Sequence, residues 1–350
     1  MEDSPKIEKR VPNLQFRTSY LGAIKQLPVL CRAIQRVNPK QEVYLDCADF
    51  GGRFCLVDTL QKDMERIGVP LDSIHFNSHS YYPGGGLSVR FTVENDPIFF
   101  SENYLSLTID PLKFERRKLL SAAEIKDLRE KYGGGSDNVV LGGSLTQSEG
   151  VMLIDAAKKV IKQKPRTKFL LVPRSSMEDF VRKVTPSIPR LASSLWKRRN
   201  ESNFSIVTEL GILDSLYSIC DTAIIGSTFE YGTGQNPLEP AFYGKPMLFG
   251  GQFRNNEYAY RGLEKTGLLK AANSKDELVE ALKNPMSPKE LKAVRSRVTT
   301  FFDSMQGAAD LYAKVIDTAL RGEPIPKNLE RRVTNFLENK YSAWEQSLGE

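Results

Sequence analysis

Gly232-Thr-Gly-Gln-Asn-Pro-Leu-Glu-Pro240 lies between the apolar run Thr222-Ala-Ile-Ile-Gly-Ser227 and Ala241-Phe-Tyr-Gly-Lys-Pro-Met-Leu-Phe249. The first flank reads as a buried strand. The second reads as a helix end, a glycine stop and the next buried strand. Core building does not call for the polar, glycine-rich stretch between them. A strand, a glycine-rich loop and a helix start carrying an acid form a phosphate-and-ribose site in a doubly wound domain.

Working outward, the segments after residue 137 alternate. Asn138-Val-Val-Leu-Gly142, Phe169-Leu-Leu-Val172, Phe204-Ser-Ile-Val207, Ala223-Ile-Ile225 and Pro246-Met-Leu-Phe249 are short apolar runs. Helical patterns separate them at 152–161, 177–184 and 212–219. Such alternation demands a parallel sheet with crossover helices on both faces. Helices follow at 276–282, 288–302 and 308–320, and after Pro324-Ile-Pro326 a single amphipathic helix is expected from about 329 to 344. Lys131-Tyr-Gly-Gly-Gly-Ser-Asp137 reads as a flexible linker. Before it, strands are expected at 42–47, 73–76, 87–93 and 105–109, with a helix at 55–67. The chain therefore divides into an N-terminal α/β domain (1–137), a Rossmann-like domain (138–322) and a C-terminal helix (323–350).

Composition bounds the function. With 350 residues, 40% hydrophobic and 26% charged, the chain is ordinary globular protein with room for two cores. A net charge of +6 is too mild to imply a nucleic-acid partner. The basic runs at 113–118 and 190–199 suit solvated helix faces, or an anionic membrane surface or phosphorylated substrate. Cys31, Cys47, Cys55 and Cys220 have neither metal-ligand spacing nor disulfide density, which indicates a reducing cytoplasm. No run reaches the roughly 18 apolar residues of a membrane span. The expected location is cytoplasmic, with peripheral contact at the inner membrane face left open.

Ligands of open parallel sheets sit outside the carboxyl ends of the strands. Gly143 and Ser144 follow the first strand of the second domain, where glycine lets backbone amides approach an anion. Arg174 follows the second, positioned for a bidentate contact with phosphate or carboxylate. Ser227 follows the fourth. Gly234, Gln235 and Asn236 lead into a helix start whose amides favour negative charge, and Glu239 there suits the two hydroxyls of a ribose. Each has a plainer reading: strand-end turns for the glycines, a sheet-edge cap for Arg174, an N-cap for Asn236, a dipole-complementing acid for Glu239. Their joint placement at successive strand ends favours a site. For acid–base work the first domain offers Asp49, Glu102 and His79; a lone histidine such as His79 is more often structural than a base, and Asp49 also suits a turn brace.

These residues also resemble a family. Gly142-Gly-Ser144, Pro173-Arg174, Gly211-Ile-Leu-Asp-Ser-Leu-Tyr217, Gly226-Ser227, Gly234-Gln-Asn-Pro-Leu-Glu-Pro-Ala241 and Gly244-Lys-Pro-Met-Leu248 follow one another in order. The order and spacing are similar to the C-terminal domain of the 3-deoxy-D-manno-octulosonic acid (Kdo) transferases. Those enzymes are lipopolysaccharide glycosyltransferases of the GT-B fold, and the likeness covers about residues 138–285. It implies two Rossmann-like domains of GT-B type, the first short and divergent, with a C-terminal helical segment. By position, Arg174, Ser227, Asn236 and Glu239 would contact a cytidine monophosphate sugar. Departures are Ile212 for the family's glutamate, Gln235 for its histidine and Ser175 after Pro173-Arg174. The family's catalytic glutamate loop has no equivalent in the first domain.

The expected function is transfer of a nucleotide-activated sugar, CMP-Kdo or similar, to a lipid-linked or saccharide acceptor in the interdomain cleft. Asp49 or Glu102 would be the base. No metal is required and no cofactor is expected beyond the donor. Alternatives are a nucleotide-sugar epimerase or hydrolase on the same fold, or a non-catalytic nucleotide-sugar-binding protein.

Overall fold

The computed structural model describes the backbone of five strands among the first 108 residues. It then describes 110–115, 119–174, 177–188, 203–209, 211–230, 232, 234–320, 323 and 325–348. Contacts group Met1–Lys118 with Ser304–Glu350 in one unit and Leu119–Asp303 in the other.

In the first unit β1 (Leu14–Thr18), β2 (Val43–Ala48), β3 (Ile74–His79), β4 (Leu87–Arg90) and β5 (Leu105–Thr108) form one sheet, in the order β3-β2-β4-β1-β5. β2 is parallel to β3 and β1 to β5, but β4 runs antiparallel to both β1 and β2. A central antiparallel strand cannot come from repeated crossover helices, so this sheet is divergent as expected. The short β1 had no counterpart among the predicted strands.

The second unit is doubly wound. β6 (Asn138–Leu145), β7 (Thr167–Pro173), β8 (Phe204–Ile206), β9 (Thr222–Ile225), β10 (Met247–Phe249) and β11 (Leu269–Ala271) form an all-parallel sheet in the order β11-β10-β9-β6-β7-β8. Five of the six are the five predicted runs. The crossovers are α2 (Gln147–Ile161), α3 (Met177–Val184), α4 (Leu213–Ile219), α5 (Leu238–Phe242) and α6 (Glu257–Thr266). The chain winds outward from β6 to β7 and β8, then returns to the other side of β6 as β9. The winding direction thus reverses between β6 and β9, and the switch-point crevice opens there.

Both faces of this sheet are covered. Val140, Phe169, Leu171, Ile224 and Leu248 join Leu153 and Ile154 of α2, Phe180 of α3, and Leu278 of α7 (Lys275–Lys283) in one apolar cluster. The alternate strand residues Val139, Leu141, Leu170, Ala223, Ile225, Met247 and Phe249 are buried too. Strands buried on both faces are continuously apolar, which is why the runs stood out in sequence.

The expected boundaries at 137/138 and 322/323 differ from this division. The Lys131–Asp137 stretch is no free linker. α1 (Ala122–Leu128) passes into a wide helical turn, Arg129–Gly133, which buries Tyr132 and sends its hydroxyl to Glu209. Arg129 donates to Ile219 O and to Asp221 Oδ2 (2.9 Å), and Asp221 also accepts from Val139 N (2.7 Å). These bonds tie the turn to β6 and to the end of α4.

After α8 (Pro288–Ser304), the helix α9 (Ala308–Leu320) belongs to the first unit. Its Gly307 and Ala309 amides donate to Glu115 Oε1 at 2.9 and 3.0 Å, and Gln306 Nε2 donates to Phe114 O at 2.6 Å. The expected last helix is two, α10 (Lys327–Thr334) and α11 (Phe336–Ser347), broken at Asn335.

Candidate functional site

The carboxyl ends of β6, β7 and β9 bring Ser144, Arg174 and Ser227 together. β6 ends in a bulge between Gly142 and Leu145, and β9 lies beside it with Ile225 opposite Gly143. Ser144 (φ 55°) and Ser227 (φ 56°) both hold the left-handed conformation. That costs a non-glycine residue about 1–2 kcal/mol, and such strain collects at functional sites. Arg174, exposed at the end of β7, is anchored through its own amide to Leu145 O (3.0 Å). Its Nη1 donates to Ser227 Oγ at 2.9 Å. Ser227 itself is buried. A serine hydroxyl held against a guanidinium is a compact receptor for an anionic oxygen.

The glycines of this corner are closely packed by protein atoms. A Cβ on Gly143 would overlap the Tyr217 hydroxyl, and one on Gly226 would overlap the carbonyl oxygen of Ser144. Gly226 N donates to Gly143 O at 2.9 Å. At both positions the missing Cβ leaves room for protein atoms.

The loop from Ser227 to α5 is pinned at several points. Gly234 (φ 71°) donates its amide to Ser227 O at 2.9 Å, and the Tyr260 hydroxyl donates to Gln235 O at 2.7 Å. Burial drives the Tyr260 phenol well above its usual range, and the negative charge of Glu149 adds to this. Gln235 Nε2 is buried with no hydrogen-bond partner among the described residues. Asn236 Oδ1 accepts from Leu238 N at 3.1 Å, two residues on, while the N-cap residue of the following turn is Pro237.

α5 is a single turn of five residues. Pro237 and Pro240 have no N–H, and that of Leu238 is taken by Asn236. The expected row of free helix amides is therefore nearly absent. Glu239, in that turn, is buried, and its charge reaches the Tyr217 phenol, which burial first and this charge second raise well above the usual range.

Sequence reading missed Glu149, which the structure makes central. It is 1% exposed in the first turn of α2 and accepts four backbone amides: Thr146, Ser227, Thr228 and Phe229. The signal was present as Thr146-x-x-Glu149, a capping box, but the helix start was read at Met152, where apolar periodicity begins. Asp49 and Glu102 lie outside the described residues. His79 ends β3, remote in sequence from every residue of this corner. Among the described residues no group of three or more His, Cys, Asp or Glu is placed to hold a metal ion, and no helix is long and apolar enough to cross a membrane.

No family model matches the chain. A 3-deoxy-D-manno-octulosonic acid transferase of Aquifex aeolicus is 27% identical over 181 residues, 51% of this chain and 50% of that protein. Over half its length, this chain is similar to the Kdo transferases. The enzyme of that name from Chlamydia muridarum is 28% identical over 155 residues, covering 43% of this chain and 35% of its own. The chain thus spans about half or less of the length of the curated Kdo transferases it matches. Among solved structures, the C-terminal CMP-Kdo binding domain of WaaA from Acinetobacter baumannii overlaps 51% of this chain and 99% of its own, with 18% identity and a TM-score of 0.44. In the matched half the chain is glycosyltransferase-like in sequence, and its fold is mixed α/β.

Proposed function

We propose that the Kdo transferase-like second unit binds a nucleotide-activated sugar, CMP-Kdo or a close analogue, and that the chain transfers the sugar to an acceptor hydroxyl. The observation that carries this is the pair of left-handed serines flanking the β6–β9 switch point, one of them bonded to Arg174. The likeness to the transferases and the acceptorless Gln235 Nε2 support it. In this reading Arg174 and Ser227 receive the donor's phosphate, and Glu239 receives the ribose hydroxyls. Transfer breaks the bond between the sugar's anomeric carbon and the phosphate oxygen. The nucleotide leaves with that electron pair as Arg174 stabilises the growing charge. The acceptor oxygen attacks the same carbon and yields its proton to a base, for which Asp49 and Glu102 are the proposed groups.

The test is thermal stabilisation by cytidine, uridine, guanosine and adenosine nucleotides and their sugar conjugates. A ligand at about 100 times its Kd adds about 2.7 kcal/mol to the native state. Cytidine nucleotides are expected to raise the melting temperature, and Arg174→Ala to abolish the rise. Glu239→Gln should erase the preference for cytidine monophosphate over its 2′,3′-dideoxy form. A rise with uridine conjugates, with turnover in the absence of acceptor, would replace transfer by an epimerase or hydrolase. No rise with any nucleotide overturns the reading.

A further inference from the structure

In a doubly wound sheet, the turn from the first strand into its helix offers amides to a ligand's phosphate. Here Glu149 engages one amide of that turn and three of the loop after β9. Glu149 Oε2 accepts from Thr146 N (2.9 Å) and Ser227 N (2.7 Å), and Oε1 accepts from Thr228 N (2.8 Å) and Phe229 N (3.1 Å). Two carboxylate oxygens ringed by four N–H donors reproduce what a bound anion receives in such a nest. Three of the four donors are consecutive residues of the loop after β9. The carboxylate therefore fastens that loop, with its left-handed Ser227, to the start of α2.

We propose that Glu149 is a built-in anion at the switch point, and that by filling the amide nest it positions Ser227 and directs a donor's phosphate to Ser227 and Arg174. The inference rests on the donor-site reading above and deepens it. It differs from a simple brace in two respects. A neutral amide cannot replace the carboxylate, because Glu149→Gln turns an NH2 group toward two N–H donors and loses two of the four bonds. A vacated nest is itself an anion site, so a small carboxylate should occupy it in Glu149→Ala.

The experiment measures amide hydrogen exchange at Ser227, Thr228 and Phe229 in the wild type, E149Q and E149A, with and without formate as the probe. It also measures the Kd of cytidine monophosphate for the wild type, E149Q, S227A and the double variant. Exchange should quicken about tenfold or more in both Glu149 variants, and formate should slow it again in E149A alone. Kd should rise about tenfold in E149Q, with the double variant no weaker than the weaker single one, as for residues acting through one contact.

Unchanged exchange, failure of formate to protect E149A, or losses that multiply in the double variant overturn the role of Glu149. If E149A does not fold, E149Q exchange and the double-variant comparison decide alone. A wild type that binds no nucleotide overturns the donor reading and the phosphate-directing role with it. The exchange and formate results then still decide whether Glu149 fills the nest.

Discussion

Gly143 illustrates how far single residues can be read. Its strand-end position correctly marked a place where something approaches the backbone closely, but the visitor is the Tyr217 hydroxyl, supplied by a helix more than seventy residues later. No local pattern carries that information. Gly143→Ala is expected to cost about 1–3 kcal/mol through overpacking. Tyr217→Phe should absorb part of it, so the double variant should beat the additive sum by at least about 0.5 kcal/mol in urea unfolding. Strict additivity would mean the two do not meet.

Lys168 gives a second residue-scale prediction. Burial on β7 pushes its ammonium down from 10.5 to about 8. Between those values the unfolded chain holds a proton that the native state has released, so stability rises with pH across the window. The gap between Lys168→Met and wild type should accordingly shrink by about 3 kcal/mol from below pH 8 to above pH 10.5. Cys220 acts oppositely. Its buried thiol, pushed up to about 12 from 9.0, contributes stability that is lost as pH rises from 9 toward 12. The variant-minus-wild-type difference removes that background. A pH-independent gap in urea midpoints would refute the assignment.

Among elements, the β–α alternation was legible because strands covered on both faces must be apolar throughout, as Val139-Val-Leu141 and Phe169-Leu-Leu171 are. β11 escaped because it is only Leu269-Lys-Ala271, with an exposed lysine at its centre. The first turn of α2 escaped for a related reason: Gln147-Ser-Glu-Gly150 has no apolar residue, although the capping box announced it. α5 was over-read. Asn-Pro-Leu-Glu-Pro looks like a helix start, and it is one, and the turn at Tyr243-Gly244 ends it after five residues. In α9, capping comes from Glu115, far away in sequence and therefore invisible to any local rule. Glu115→Ala should cost about 0.5–2 kcal/mol, as loss of a helix cap does. Exchange at Gly307 and Ala309 should quicken while the β6–β9 amides stay unchanged. Equal quickening in both places would mean that Glu115 is not a local cap.

For the whole molecule, glycine content misled the division. Gly133-Gly-Gly135 suggested a flexible linker, but side-chain anchors override the three glycines: Tyr132 is buried and bonded to Glu209, while Arg129 and Asp221 join the turn to β6. The linker composition was legible, whereas the anchoring depended on partners some eighty residues away. At the other end, α9 looks like one more helix of the doubly wound series, yet Glu115 and Phe114 bind its start within the first unit. The self-sufficient domain should therefore be 119–303. It retains the whole six-stranded sheet, Tyr132, the Arg129–Asp221 pair and the Glu149 nest. Expressed alone, it should show a cooperative melt and the same nucleotide-induced rise as the full chain. A fragment cut at 138–322 loses α1 with both anchors and gains α9, whose buried Leu311, Tyr312, Val315 and Ile316 are severed from Glu115 and Phe114. An exposed apolar helix of that kind drives association. Fragment 138–322 should melt at lower temperature and self-associate on a sizing column. If it instead matches 119–303 in melting temperature and stays monomeric, the anchors around Tyr132 do not determine where this domain begins.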